Sequence, residues 1–136
     1  MSDFNQAVIA EFRANAGVVG GYFAGANLLL LHTTGAKSGQ PRISPLVYAT
    51  DGERLVVAAS KGGADSNPDW YRNLLANPAV SVEVGSEQFA ARATAVIEEP
   101  ERSRLYALLV AHRAGFAAYE QQTSRVIPVV VLERVG

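Results

Sequence analysis

The chain has 136 residues, 49% of them hydrophobic and 18% charged, with a net charge of −1 and no cysteine. That length fits one domain with a core of its own, and the near-neutral balance argues against general affinity for nucleic acid. The missing thiols exclude a disulfide framework, a thiolate metal site and a cysteine nucleophile, and no apolar run approaches the ~20 residues of a membrane span.

The opening MSDFNQAVIAEF carries an early acid and no long apolar stretch, so no signal peptide is read there and a cytoplasmic protein is expected. Phe4, Val8 and Phe12 repeat at helical spacing and predict an amphipathic helix over residues 4–15, packed on the core or on a second copy in a homodimer. Gly17, Gly20, Gly21 and Gly25 then interrupt regular structure, and the segment is expected to wrap a surface. The apolar 18–31 region leaves peripheral membrane contact open.

Leu28–Thr33 reads as a strand without alternation, hence covered on both faces. Ser44–Thr50 and Arg54–Ser60 read as strands joined through Asp51-Gly52, a tight-turn signal that needs positive φ. Asn67-Pro68 predicts a helix start, with Asn67 as the cap, and Asn77-Pro78 its end. Val80–Val84 and Gln88–Ile97 flank a second hairpin turn at Gly85-Ser86. Pro100 opens a helix that carries Leu105, Leu108, Leu109 and His112 on one face, and Gly115 is expected to end it. A shorter helical piece, Phe116–Thr123, precedes a last strand, Val126–Glu133, in which Pro128 predicts an edge or a bulge. This order predicts an α+β fold, an antiparallel six-stranded sheet closing into a small split β-barrel flanked by helices. Residues 1–136 are expected to form a single domain, with 1–26 as helix and glycine-rich wrap and 27–136 as barrel.

Two segments carry the chemistry. Thr33–Pro45, TTGAKSGQPRISP, offers Lys37 and Arg42 in a loop loosened by Gly35 and Gly39, and Ser60-Lys61-Gly62-Gly63 adds a third cation beside two glycines. Cations with bare backbone N–H groups suit an anionic ligand, because they supply charge and hydrogen bonds together, and the three are expected to converge on one pocket. The loop is no P-loop. Ala36 stands before Lys37, and Pro41 and Pro45 deny a following helix. No GxGxxG follows a strand either.

Hydrolytic machinery is absent from the pattern. His32 lies in a strand and His112 on an apolar helix face, where packed, hydrogen-bonded roles are expected, and the two alone suggest no metal site. Glu98, Glu99 and Glu101 sit at a helix start, where the dipole accounts for them. A chain with an anion cradle and no nucleophile–base pair suits hydride transfer, in which a cofactor carries the reaction, and equally suits a binding module. Lys37, Arg42 and Lys61 could equally be solvated loop cations, Trp70 core or rim packing, and Phe116, Tyr119 and Arg125 a cover for the barrel mouth.

The succession EFRANAG, GGYFAGANLLLLHTTGAKSGQPR, SPLVY, SKGGADSNPDWYRNLLANP and IPVVVLERV resembles the deazaflavin-dependent nitroreductase family over roughly residues 9 to 135. The resemblance implies a flavin-type split β-barrel and the 5-deazaflavin coenzyme F420, whose phosphodiester and oligoglutamate tail are anionic. It implies that Lys37, Ser38, Gly39 and Arg42 hold the phosphate and that Pro45 lines the same groove. Ala58, Ser60, Lys61, Gly62 and Gly63 would approach the tricyclic ring, with Trp70 and Asn73 completing the wall. Where members that reduce bulky nitroaromatic compounds carry tyrosines ahead of the Tyr119 position, this chain has Arg113 and Phe116. Quinones and α,β-unsaturated carbonyl compounds are therefore expected ahead of nitro compounds as the small-molecule acceptors, with Ser60, Tyr119 or a water stabilising charge on the acceptor oxygen. An FMN enzyme of the same fold and a non-catalytic F420 carrier are the alternatives.

Overall fold

A computed structural model describes residues 3–135. The elements run α1 (Asp3–Ala14), β1 (Leu28–Thr34), β2 (Pro41–Val47), β3 (Ala49–Asp51), β4 (Arg54–Ala58), α2 (Asp69–Ala76), β5 (Ala79–Val84), β6 (Glu87–Val96), α3 (Glu101–His112), α4 (Gly115–Gln122) and β7 (Val129–Arg134). All strands join one antiparallel sheet in the order β2-β1-β5-β6-β7-β4-β3. The two edge strands are consecutive in the chain, separated by Tyr48 alone, so the sheet must curl until its edges meet there. The result is an α+β, split-barrel-like half-barrel with four helices.

The sheet has seven strands where six were expected. The apolar run through Ser44–Thr50 is continuous in sequence, but its hydrogen bonding changes partner midway. Val47 pairs with Leu28, the N–H of Tyr48 reaches the carbonyl of Asn27 at 3.0 Å, and Ala49 pairs with Val56. One residue of interruption leaves the residue pattern intact while the ladder crosses from β1 to β4.

The strands without alternation are those covered twice. Leu29 and Leu31 enter the main core with Val57, Val130 and Leu132, where Trp70, Tyr71 and Leu74 of α2 also pack. Leu28 and Leu30 face the other way, onto Val8, Ile9 and Phe12 of α1. Val129 and Val131 likewise turn outward onto Leu105, Tyr106 and Leu109 of α3 and Phe116 of α4. Helices on the outside therefore explain the run Leu28–Leu31, and each fully buried side chain contributes about 1.5–3 kcal/mol. Phe4, expected on the packed face of α1, is 55% exposed.

Local expectations were corrected in three places. Asn67 does not cap α2: its side-chain oxygen accepts from Arg125, and the residue before the helix is Pro68, which has no side-chain bond to give. Pro128 lies ahead of β7, an interior strand, and its carbonyl accepts the N–H of Ala59 at 2.9 Å, so the missing donor costs no ladder bond. Gly115 begins α4, while α3 stops at His112 with Arg113 extended beyond it. Among the described residues no helix is long and apolar enough to cross a membrane.

Candidate functional site

The open seam of the half-barrel carries a cavity of about 210 Å³. Pro45, Leu46 and Val47 of β2, Ala58 of β4 and Trp70 of α2 give it apolar walls, and Ser60, Lys61 and Gly62 form its next side. Tyr22, Phe23, Arg113, Phe116 and Tyr119 complete it. A second cavity, about 340 Å³, is lined by Lys37, Ser38, Arg42, Arg72 and Asn73, with Asp69 as its carboxylate. The two share β2 and the first turns of α2 as walls. Whole cofactor sites span roughly 300–1,000 Å³. A ligand of that size seated in the apolar cavity would extend beyond it.

The cations do not converge on a single pocket. Lys37 and Arg42 line the cationic cavity and Lys61 the apolar one, where its ammonium donates to Ser66 Oγ at 3.2 Å. Arg72 joins Lys37 and Arg42, a residue the sequence reading did not single out. It pairs with Asp69 and donates to the carbonyl of Asn67 at 3.2 Å, so the cavity holds three cations against one carboxylate. Its signal was its place on the same short helix as Trp70 and Asn73.

The loop over residues 35–40 is closed by its own bonds. Gly35 N–H donates to Gln40 O at 2.8 Å, Gly39 N–H to Gly35 O at 2.9 Å, and Gln40 N–H to Ser38 Oγ at 3.2 Å. A side chain at Gly35 would run into Ser38 Oγ, and Gly39 takes φ +68°. Asn73 is buried, accepts the N–H of Ala36 at 2.9 Å and donates to Thr33 Oγ1 at 3.4 Å. Its amide thus fixes the loop while its residue lines the cavity. Gly39 and Gly63 lie outside both linings. Gly63, at φ +86°, packs where a Cβ would overlap Gln122.

Arg125 organises the other segment. Its guanidinium donates to the carbonyls of Ala59, Ser60, Ala64 and Ser66 at 2.9–3.1 Å and to Asn67 Oδ1 at 2.9 Å. One planar fork therefore sets the whole turn that presents Ser60, Lys61 and Gly62 to the cavity. Lys61 (φ +48°) and Gly62 (φ +63°) both lie in the left-handed region, a conformation costly for Lys61 that the surrounding bonds must hold.

Tyr119 lies at the cavity beside Phe116, rings edge to face at 5.5 Å, and its hydroxyl meets that of Tyr22 at 3.0 Å. That hydrogen bond, and then burial, raise the Tyr119 pKa above the ordinary phenol value, so it remains protonated at neutral pH. His112 Nε2 accepts the N–H of Asn27 at 2.9 Å, and His32 meets Glu83 at 2.5 Å. Both histidines are hydrogen-bonded packing residues. No group of three or more metal-ligating side chains occurs among the described residues.

A half-barrel with a ligand-sized seam places the chain among split-barrel-like proteins. The haem storage protein HutZ of Vibrio cholerae has this fold at a TM-score of 0.63 and 20% identity, covering 94% of this chain and 88% of that one. Residues 5–134 match the model of the F420H(2)-dependent quinone reductases, and the chain belongs to that family. It is 44% identical over 128 residues to an F420H(2)-dependent quinone reductase of Mycobacterium tuberculosis, covering 92% of this chain and 86% of that protein. Among solved structures, an F420-H2 dependent reductase superposes with a TM-score of 0.73 at 36% identity, covering 84% of this chain and all of that one. A chain described as a domain-swapped dimer superposes at 0.74 and 35% identity, covering 94% and 93%.

Proposed function

We propose that this protein is an oxidoreductase that uses reduced F420 to reduce a quinone-type acceptor. The observation that carries the reading is the succession of an apolar, tryptophan-walled cavity and a cationic cavity along the same strand and helix. The donors present fit the cofactor: a tricyclic ring suits Pro45, Ala58 and Trp70, and an anionic tail suits Lys37, Ser38, Arg42 and Arg72. Backbone N–H groups of Lys37 and Ser38 have no partner among the described residues, which leaves them to a phosphate oxygen.

When bound, reduced F420 supplies a hydride. The chain's own residues bind, orient and shield. Arg42, Lys37 and Arg72 neutralise a tail; Asn73 and Arg125 hold the two loops still; Trp70, Leu46 and Val47 exclude water, which strengthens every electrostatic contact inside. Lys61 and Arg113, with no carboxylate in the lining of the apolar cavity, favour negative charge developing on an acceptor oxygen. Ser60 and Tyr119 supply hydroxyls there. The whole chain works as one unit, since β1 and β7 belong to the same sheet, and the domain-swapped relative supports a homodimer. A cysteine-free chain fits the reducing cytoplasm.

Fluorescence titration with F420 and FMN, followed by anaerobic oxidation of reduced F420 with quinone, enone and nitro acceptors, tests the reading. Preferential F420 binding and fastest turnover with quinones are expected. FMN binding without F420 affinity would make it a flavin enzyme, and F420 binding without turnover on any acceptor a carrier.

A further inference from the structure

Part of the apolar cavity's wall comes from outside the barrel. Tyr22 and Phe23 sit on a 3₁₀ turn, Gly21–Phe23, in the segment between α1 and β1, with Gly21 and Gly25 at positive φ on either side. This turn is held against the α3–α4 corner through Tyr22 in particular. The Tyr22 carbonyl accepts from Arg113 Nη2 at 2.6 Å, its ring lies 5.0 Å beneath the Arg113 guanidinium carbon, and its hydroxyl meets Tyr119 at 3.0 Å.

We propose that Tyr22 is a catalytic residue: its phenol donates a hydrogen bond, and then its proton, to the acceptor's oxygen. Tyr119 stands behind it as proton source and Arg113 is the positioning residue. The proposal rests on the quinone-reductase reading above.

Two phenols in contact share one hydrogen bond, so one donates and the other keeps its own O–H for another partner. The donor role is assigned to Tyr119, the more enclosed of the two, packed edge to face on Phe116, whereas Tyr22 is 60% exposed and can turn its own O–H to another partner. Tyr22 therefore accepts, and its O–H is left for whatever fills the cavity it lines. Ser60 is less suited, being buried in the turn that Arg125 clamps. Arg113 also leaves Nη1 buried without a partner. An unpaired buried donor on a charged group is unfavourable, and fixing Tyr22 is the gain that accounts for it. The same guanidinium, beside the phenol ring, offsets negative charge as a proton moves between the two oxygens.

The step balances. The acceptor receives two electrons with the hydride; the O–H bond of Tyr22 breaks and one to the acceptor oxygen forms. The Tyr119 proton moves to Tyr22, and solvent returns a proton to Tyr119. Quinone and reduced F420 become hydroquinone and oxidised F420; the proton the reduced cofactor gives up to solvent replaces the one solvent returns to Tyr119, so no proton is gained or lost overall.

Tyr22→Phe, Tyr119→Phe and the double variant test the relay. Tyr22→Phe is expected to lower kcat with a naphthoquinone roughly 100-fold, within the range of a lost general acid, with F420 affinity and Tm unchanged. Tyr119→Phe should cost about tenfold, as loss of one hydrogen-bonded partner, and the double variant should be no slower than Tyr22→Phe. A solvent deuterium effect on kcat should be present in the wild type and absent from Tyr22→Phe. In the cofactor-free protein, quenching of Trp70, the only tryptophan, should report weaker naphthoquinone binding by Tyr22→Phe. Unchanged turnover in Tyr22→Phe, or single losses that multiply in the double variant, overturns the proposal. If the wild type reduces no quinone the functional reading falls instead, and equal quenching by both proteins then overturns the role of Tyr22.

Discussion

Asn73 Oδ1 accepts the backbone N–H of Ala36 at 2.9 Å, tying the helix that carries Trp70 and Arg72 to the loop that carries Lys37. That buried amide adds a tie between the two cavities to the packing of α2 on the sheet. Asn73→Ala should lower stability by about 1–2 kcal/mol, the cost of losing the two hydrogen bonds made by a buried side chain, and weaken F420 binding by loosening the loop. Chemical denaturation and fluorescence titration measure the two effects. Full cofactor affinity in a destabilised variant would show that the amide stabilises the fold without shaping the site.

The cationic cavity should act through charge. Arg42→Ala is expected to weaken F420 about tenfold, or ~1.5 kcal/mol, and Arg72→Ala less, because Asp69 already engages its guanidinium. Both losses should shrink as salt is raised, since exposed charges are screened. Titration at two ionic strengths decides, and a salt-independent loss would point to packing instead.

Arg125→Ala removes the donor to four carbonyls and one amide oxygen at once. A stability loss on the order of 2–3 kcal/mol is expected, together with loss of cofactor affinity as the Ser60–Gly63 turn is released. Arg125→Lys should rescue neither, because an ammonium cannot reproduce a planar fork. Recovery of binding with lysine would refute the clamp.

Glu83 joins α1, β1 and β5. It accepts from Arg13 Nε and Nη2 at 3.2 and 2.8 Å and meets His32 at 2.5 Å. The Arg13 bonds hold its pKa below the ordinary glutamate value, against partial burial and with help from His32. A carboxyl depressed on folding contributes stability that is present above its unfolded pKa, ~4.3, and is lost as pH falls through the lower folded value. Glu83→Gln should therefore be less stable than wild type at pH 7, with the difference narrowing in acid below about pH 4.3. Melting temperatures across pH 3–7 test it; a constant gap would remove the ionic contribution.

The hairpin turns, the covered strand at Leu28–Leu31, the helix that ends at Asn77-Pro78 and the cationic loops were all legible in the residues. Each depends on neighbours a few positions apart, where φ preference, periodicity and charge act directly. Lys37, Arg42 and Lys61 stood out as loop cations beside glycines, while Ser38, Pro45, Ala58, Trp70 and Asn73 were named as site residues only through the family resemblance. What spacing could not supply was the division of these residues between two cavities, because Lys61 and Lys37 are separated by the packing of α2 into the sheet. Nor could it show the strand that changes partners at Tyr48, where the pattern is unbroken and only the ladder moves. Tyr22 meets Tyr119 across 97 positions, and Arg125 reaches a turn some 60 residues earlier. Such meetings are decided by how the curled sheet closes, so the chemistry of the loops is local while the shape of the site they form is global.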